Sequence, residues 1–153
     1  MPGLTETRDA AVSLLRKTFP ELCRVEAFSG ELNMDEAARR SFPPGISLLV
    51  AVVAAENDAP ADSLVFSVMG TFGALVISNS AAGAEHAEGD ALSAAERAAL
   101  SLHGATYGLE GVSPARVESL EACQDGELAE NGLCVWAIIW KQALVFGECD
   151  ERA

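Results

Sequence analysis

Three long apolar segments constrain the fold of this chain more than any other feature. They cover residues 46–55, 64–78 and 132–146. In the third segment, Val135 and Ile139 would lie on one face of a strand, and Trp136 and Trp140 on the opposite face. Strands with two apolar faces are typical of the interior of a sheet, where both faces are covered. We therefore expect these segments to be strands whose two faces both need cover.

A hairpin is predicted to join the first two of these segments. Residues 56–62 between them are polar and include a proline, which is typical of an exposed tip. Gly70 and Gly73 interrupt the second segment, and glycines inside a strand often mark a bend or a β-bulge. We expect such an irregularity near these two residues.

Helices and shorter strands account for most of the remaining chain. Alternating polarity predicts strands at 22–28 and about 115–122. Helical patterns cover residues 5–19, about 34–41 and 93 to about 103. Pro20 ends the first helix, Asn33 and Ser93 are expected to cap the other two, and Gly104 ends the last one. The segment 79–90 is rich in alanine, glycine and acidic residues and is predicted to be a surface loop.

These elements predict one α/β domain of the α+β type, spanning residues 1–153, with a mixed and mostly antiparallel sheet flanked by about three helices. A chain of 153 residues can bury roughly 70% of the surface that it exposes when unfolded. Three helices can cover one face of the sheet, which leaves apolar side chains on the other. We therefore expect the protein to associate with copies of itself.

Charge, hydropathy and cysteine usage exclude several classes of protein. The chain has 10 Lys and Arg against 23 Asp and Glu, a net charge of −13, so its field repels nucleic-acid phosphates. Its first twenty residues do not resemble a signal peptide, and its longest apolar run is about half of the roughly 20 residues that a membrane helix needs. The four cysteines form no CxxC pair and are predicted to be reduced, buried thiols in the cytosol.

The sequence contains no recognisable catalytic or metal-binding constellation. His86 lies between Glu85 and Glu88, but residues this close in sequence rarely converge on one metal ion, so a solvated loop is the simpler interpretation. His103 is placed to interact with the dipole at the end of its helix. No nucleophile elbow and no glycine-rich phosphate loop is present. We therefore predict no catalytic residues, no metal site and no cofactor.

Two other features could serve recognition. Trp136 and Trp140, on one face of the last strand, could stack on bases or sugars, although a place in the core or at a subunit interface suits an acidic chain better. Arg39 and Arg40 form one of only two adjacent basic pairs, and either solvation on a helix surface or contact with a partner would explain them.

Several strings of the sequence, taken together, are similar to those of a known family. They are LCRVEAFSGELNMDEAARRSFPPGISLLVAV, VFSVMGTFGALVISN, a capped helix ending in LHG, and GLCVWAIIWKQALVF. The chain resembles the tail terminator family of Mu-like contractile-tailed bacteriophages and prophages over roughly residues 12–146. RVEAFSGEL and the last strand carry most of this likeness.

The resemblance implies a structural protein of the virion tail that assembles in the cytoplasm of the host bacterium. Proteins of this family form a homo-oligomeric ring, expected here to be a hexamer, on the last ring of the tail tube. The ring ends the growth of tube and sheath and offers a surface to the connector proteins of the head and neck. DNA would pass through its lumen without specific binding, which suits the acidic composition, and no membrane is involved.

Two alternatives remain open from the sequence. One is a different neck or tail completion protein of a phage. The other is a small cytosolic enzyme or ligand-binding oligomer, which would require Cys123, Cys134 and His103, or the tryptophans, to meet in one pocket. Under the ring hypothesis, contacts should involve loops at strand ends, the short helix and the last strand. The candidate interface residues are Arg39, Arg40, Asn57, Asp58, Asp62, Glu85, His86, Glu88, Trp136 and Trp140.

The two adjacent arginines give a first prediction. We expect the double variant Arg39→Glu/Arg40→Glu to weaken oligomers or tube capping while the thermal midpoint of the subunit stays nearly unchanged. Each exposed ion pair contributes only about 0 to 1 kcal/mol, so the effect depends on repetition around a ring. Light scattering and measurement of tube length would test it. Normal assembly and capping, even at high salt, would show that these arginines form only a solvated surface.

Overall fold

The computed structural model describes residues 3–21, 24–28, 44–60, 64–79, 84–123 and 132–148. Within these ranges the chain forms two helices and five strands. In chain order they are α1 (Leu4–Thr18), β1 (Arg24–Ala27), β2 (Gly45–Asn57), β3 (Val65–Asn79), α2 (Ala84–Leu102), β4 (Arg116–Cys123) and β5 (Leu133–Glu148). The helix predicted at about 34–41 lies outside the described residues.

The five strands form a single mixed sheet in the order β1-β2-β3-β5-β4. The β1–β2 pair is parallel and the other three pairs are antiparallel. The predicted α+β fold with a mostly antiparallel sheet is therefore confirmed. The predicted irregularity near Gly70 and Gly73 is also found, but on the partner strand, where the register of β2 shifts between Val52 and Ala54.

Helix α2 begins much earlier than the sequence pattern predicted. It starts at Ala84, so residues 84–90 are helical and the prediction of a loop there is wrong. Ser93 lies inside the helix and does not cap it. Alanine is the strongest helix former and is frequent in this segment, and the roughly 1 kcal/mol cost of Gly89 is outweighed by tertiary packing. At the other end, Gly104 takes a left-handed backbone conformation with φ of 85°, as predicted for the helix stop.

The main core lies between the two helices and one face of the sheet, which we call the helix-facing side. Its largest fully buried side chains include Trp140 and Phe72, which are paired across β5 and β3. Their rings stack with centroids 5.8 Å apart and an interplanar angle of 14°. Leu15 of α1 and Leu102 of α2 close over the same cluster. Each element thus buries the apolar stripe that its sequence pattern predicts.

Gly70 of β3 allows α1 to approach the sheet closely. A Cβ atom at this position would lie 2.8 Å from Cε2 of Phe72 and 3.0 Å from Cδ2 of Leu4. Since Leu4 is the first residue of α1, any larger residue at position 70 would push against both the start of the helix and the aromatic core.

The opposite face of the sheet carries a second apolar cluster. Leu49, Leu75, Ile77 and Val135 belong to it, and all are at most 3% exposed. This part of the second face is therefore already buried within one subunit. The expectation that the whole face needs a partner is therefore wrong for the part of the face that carries these four residues. Further along the strands, the same face carries Ile139, which is only half-buried.

A buried amide ties the loop at 104–115 to the sheet. Gln142 of β5 is 1% exposed, and its Oε1 accepts from the hydroxyl of Tyr107 at 2.8 Å and from Nε1 of Trp140 at 3.1 Å. Its Nε2 donates to the backbone carbonyls of Ala105 and Ser113, at 3.1 and 2.9 Å. Burial raises the pKa of the Tyr107 phenol, so it remains a donor across the accessible pH range. Both polar atoms of the amide are thereby satisfied, which burial requires.

This network predicts a graded loss of stability. The variant Gln142→Leu should lower the free energy of unfolding by about 3 kcal/mol, because a buried donor and two carbonyls lose their partner. Tyr107→Phe should cost only about 1 kcal/mol, since Oε1 keeps the bond from Trp140. Urea unfolding followed by circular dichroism measures both. Equal, small losses in the two variants would mean that the amide is not a central stabilising group.

Candidate interaction surfaces

The tip of the β2–β3 hairpin is held by two local hydrogen bonds. The side chain of Asn57 accepts from the backbone N–H of Ala59 at 2.9 Å, and the N–H of Asp58 donates to the carbonyl of Ser67 at 3.0 Å. Asn57 and Asp58 are both exposed, so these two candidate interface residues lie on a surface that the hairpin holds in place. The candidate residue Asp62 lies outside the described residues, as do Arg39 and Arg40.

Three exposed apolar residues lie at the same end of the sheet as the hairpin tip. Leu64 is 49% exposed, Phe66 45% and Val145 37%. Phe66 and Val145 belong to the last paired residues of the β3–β5 ladder, and the ring of Phe66 stacks on that of Phe146 with centroids 5.2 Å apart. Phe66 lies with Phe146 on the helix-facing side, whereas Val145 is paired with Ser67 and lies on the opposite face. We call Leu64 and Phe66 the strand-end cluster. The sequence pattern placed these residues in a strand but gave no sign that they would be exposed.

The outer side of β2 is covered only in part. In the ranges that the structure describes, β1 is the strand next to it, and β1 pairs with Ser47–Val50. Farther along β2, the residues from Val53 to Asn57 are all exposed. The hairpin therefore extends past β1 with one edge open to solvent.

The candidate residues of the predicted loop lie instead on the first turns of α2. His86 and Glu88 are exposed, and Glu85 belongs to the same helical segment. Residues two apart on a helix point to different sides, so His86 and Glu88 do not face a common ligand. Across the described ranges, no group of three or more histidine, cysteine or acidic residues is placed to hold a metal ion.

Trp136 and Trp140 lie on the helix-facing side of the sheet. Trp140 is completely buried, and its Nε1 donates to Gln142. The prediction that Trp140 lies at an interface is therefore wrong, because its whole surface is packed inside the subunit. Trp136 is half-buried against the same core. The pair offers no open platform on which bases or sugars could stack.

The residues required by the enzyme alternative do not converge. Nδ1 of His103 accepts a hydrogen bond from the backbone N–H of Val117 at 3.2 Å, so this histidine joins the end of α2 to β4. Cys123 lies at the opposite end of β4, roughly 20 Å away for an extended strand of this length. A thiol and a base at this separation cannot act as a pair.

The two described thiols are free and half-buried, not fully buried as predicted. Burial, with a smaller contribution from Glu121, raises the pKa of the Cys123 thiol. Burial, with a smaller contribution from Glu88, raises the pKa of the Cys134 thiol. Both residues therefore hold less of the nucleophilic thiolate at neutral pH than an unperturbed cysteine does.

An open cleft of about 410 Å³ lies between α1 and the loop at 104–115. It is lined by Ala10, Ser13, Leu14, Lys17, Ala105 and Tyr107. None of the candidate residues lines this cleft. Sequence reasoning missed it because its lining comes from α1 and from a loop about 90 residues later in the chain.

Comparison with known proteins does not identify the chain. No protein-family model matches it, and no curated protein matches it either. Among the described residues, neither helix combines the length and the apolar character needed to cross a bilayer.

The raised pKa values predict slow thiol chemistry. In a variant with Cys23→Ser and Cys149→Ser, alkylation by iodoacetamide at pH 7.5 should be slower than that of free cysteine. Its rate should still be rising at a pH where the rate for free cysteine has levelled off, because the thiolate forms later. Mass spectrometry of timed samples measures this. A thiol faster than free cysteine would indicate an activating group and favour the enzyme alternative.

Proposed function

We propose that this protein is a structural subunit of a phage tail, which caps the tail tube as a ring of identical subunits. The ring ends polymerisation of tube and sheath and offers a surface for attachment of the head and neck. The proposal extends the sequence resemblance to tail terminators. Under this proposal, the subunit binds other proteins and catalyses no reaction.

The strand-end cluster is the observation that carries this proposal. Leu64 and Phe66 expose apolar surface at one end of the sheet, while the second-face cluster around Leu75 and Val135 is buried within the subunit. Apolar side chains gathered on an ordered part of the surface are typical of protein contact sites. At the end of β3, the side chain of Phe66 is fixed by its stacking on Phe146, which suits docking onto the rigid end of a tube.

The charge of the chain supports a role beside DNA without DNA binding. At −13, the subunit repels a phosphate backbone, and in a ring that charge is repeated around a lumen. DNA could then pass without being held. The exposed acidic residues Asp58 and Glu88 contribute to this field.

The oligomeric state tests the proposal directly. Light scattering coupled to size exclusion should give a mass six times the 16.0 kDa of the subunit. A protein that stays monomeric at tens of micromolar, both alone and with tail tubes, would contradict a ring. A stable dimer would instead favour the cytosolic ligand-binding alternative.

A matched pair of variants tests the strand-end cluster. Phe66→Ser should impair capping, so that tubes polymerised in its presence grow longer than with the unaltered protein, because it removes apolar contact area. Leu100→Ser is the control, since Leu100 is an apolar residue on α2 that is 82% exposed and distant along the chain from the strand ends. Electron microscopy of tube lengths compares the two. Equal effects, or normal capping by Phe66→Ser, would contradict a role for the cluster in docking.

A further inference from the structure

We propose that the open edge of β2 in one subunit pairs with the outer edge of β4 in the next subunit, so that the sheets continue around the ring. This inference rests on the proposed ring and specifies how its neighbouring subunits bind each other. The partner of the exposed β2 edge is then a strand of a second copy of this chain.

The backbone geometry shows which groups of β2 are available. The carbonyl of Val50 points outward, because it accepts from the N–H of Phe28 at 2.7 Å. At the other end, the N–H of Asp58 points inward, to Ser67 of β3. Successive residues of a strand alternate in direction, so Ala55 and Asn57 direct their N–H and C=O groups outward. Within the described ranges, the stretch beyond the bulge thus offers donors and acceptors without a strand partner at an exposed edge.

The composition of this edge leaves it open to pairing. Residues 51–57 read AVVAAEN and contain no proline, lysine or arginine. Proteins usually protect an exposed edge with such residues, with a bulge or with a covering element. The bulge between Val52 and Ala54 interrupts the edge once, and the four residues that follow are regular and exposed. A strand from another chain could extend the sheet there.

Strand β4 provides the other open edge of the same sheet. The N–H of Val117 points outward, because it donates to His103. The partners of Val117, Leu120 and Ala122 on β5 are alternate residues, so the outward groups of β4 belong to these three. The outward N–H of Val117 is already bound to His103. Leu120 and Ala122 are exposed and keep their outward groups free for a neighbour among the described residues.

The direction of the strands makes these two edges compatible. Three successive antiparallel pairings separate β2 from β4, so the two strands run in opposite directions. Rotation about an axis roughly along the strands preserves these directions, so β4 of the next subunit meets β2 antiparallel. Such a head-to-tail contact uses different surfaces on the two partners, and it closes into a ring when the rotation between neighbours is a whole fraction of a turn. Strands in a closed sheet tilt relative to its axis, which shifts each subunit along the strand direction of its neighbour. With this shift, β4 of the next subunit meets β2 beyond the part that β1 covers.

Charge supports the same pairing. In an antiparallel arrangement, the C-terminal end of β2 lies beside the N-terminal end of the neighbouring β4. Glu56 and Asp58 are exposed at the first of these ends. Arg116 lies at the second, where its side chain is 76% exposed and its Nε is 3.9 Å from a carboxylate oxygen of Glu118. Opposite charges would therefore meet at each junction in an otherwise acidic molecule. Pairing of β2 with β2 of another copy would close a dimer and leave Arg116 without this contact.

Proline substitutions at outward positions test the proposal. Ala55→Pro and Ala122→Pro each remove one outward N–H and obstruct pairing, whereas an edge strand tolerates proline at such positions. Ala55→Thr and Ala122→Thr keep the N–H and are the matched controls. We expect each proline variant to raise the concentration for half assembly about tenfold or more, with circular dichroism and thermal midpoint near those of its threonine control.

Mixing the two proline variants distinguishes the possible interfaces by light scattering. Ala55→Pro retains an intact β4 edge and Ala122→Pro an intact β2 edge. At a concentration below the raised half-assembly points, the mixture should therefore form heterodimers while each variant alone stays monomeric. Dimers of Ala122→Pro alone would indicate β2–β2 pairing and overturn the proposal. Rings formed by Ala55→Pro would also overturn it, yet leave the proposed function standing. A monomeric unaltered protein that remains monomeric on tubes would overturn both.

A charge exchange provides a second test that does not depend on proline. Arg116→Glu should weaken assembly, and the added changes Glu56→Arg and Asp58→Arg should restore it, because the opposite charges meet again. Solution mass at low salt measures the effect. Failure of the exchange to restore assembly, with all variants folded, would overturn the predicted alignment of β2 with β4.

Discussion

The pairing of β3 with β5 is the interaction on which the rest of the structure depends. The two strands are paired from Val65 and Glu148 at one end to Asn79 and Leu133 at the other, in the middle of the sheet. Apolar side chains of this ladder serve both clusters of buried residues, one on each face. Without the ladder, neither α1 nor α2 would have an apolar surface to pack on, because isolated helices of this length are only marginally stable in water.

The polar groups inside this core explain why the loop at 104–115 has a defined position against the sheet. Hydrophobic burial alone would allow the loop at 104–115 to lie in several ways, since apolar contact has no preferred direction. Gln142 restricts this freedom, because its amide must satisfy two carbonyls of the loop and two donors at once. Its bonds to Ala105 and Ser113 act together with the backbone bonds from Ser113 to Ala143 and from Val145 to Gly111.

The sequence predicted the fold far better than the surfaces. Each strand was predictable because its periodicity depends only on neighbouring residues, as for Val135 and Trp136. The start of α2 was not, because Gly89 and the acidic residues around it resemble a loop until tertiary packing is included. The partners of Gln142 were equally hidden, since Tyr107 lies 35 residues away in sequence. The exposure of Phe66 depends on where the ladder stops, which local pattern does not encode.

The unequal lengths of the strands give this sheet two different kinds of contact surface. β1 spans four residues and β2 thirteen, so the hairpin extends beyond its neighbour and leaves an edge exposed. The strand-end cluster around Phe66 lies at one end of the strands, whereas the exposed edges of β2 and β4 lie at the sides of the sheet. The proposed ring would need both kinds of surface, one for its neighbours and one for the tube beneath. A single sheet of this shape can therefore serve lateral and axial contacts without using the core that Trp140 and Phe72 hold together.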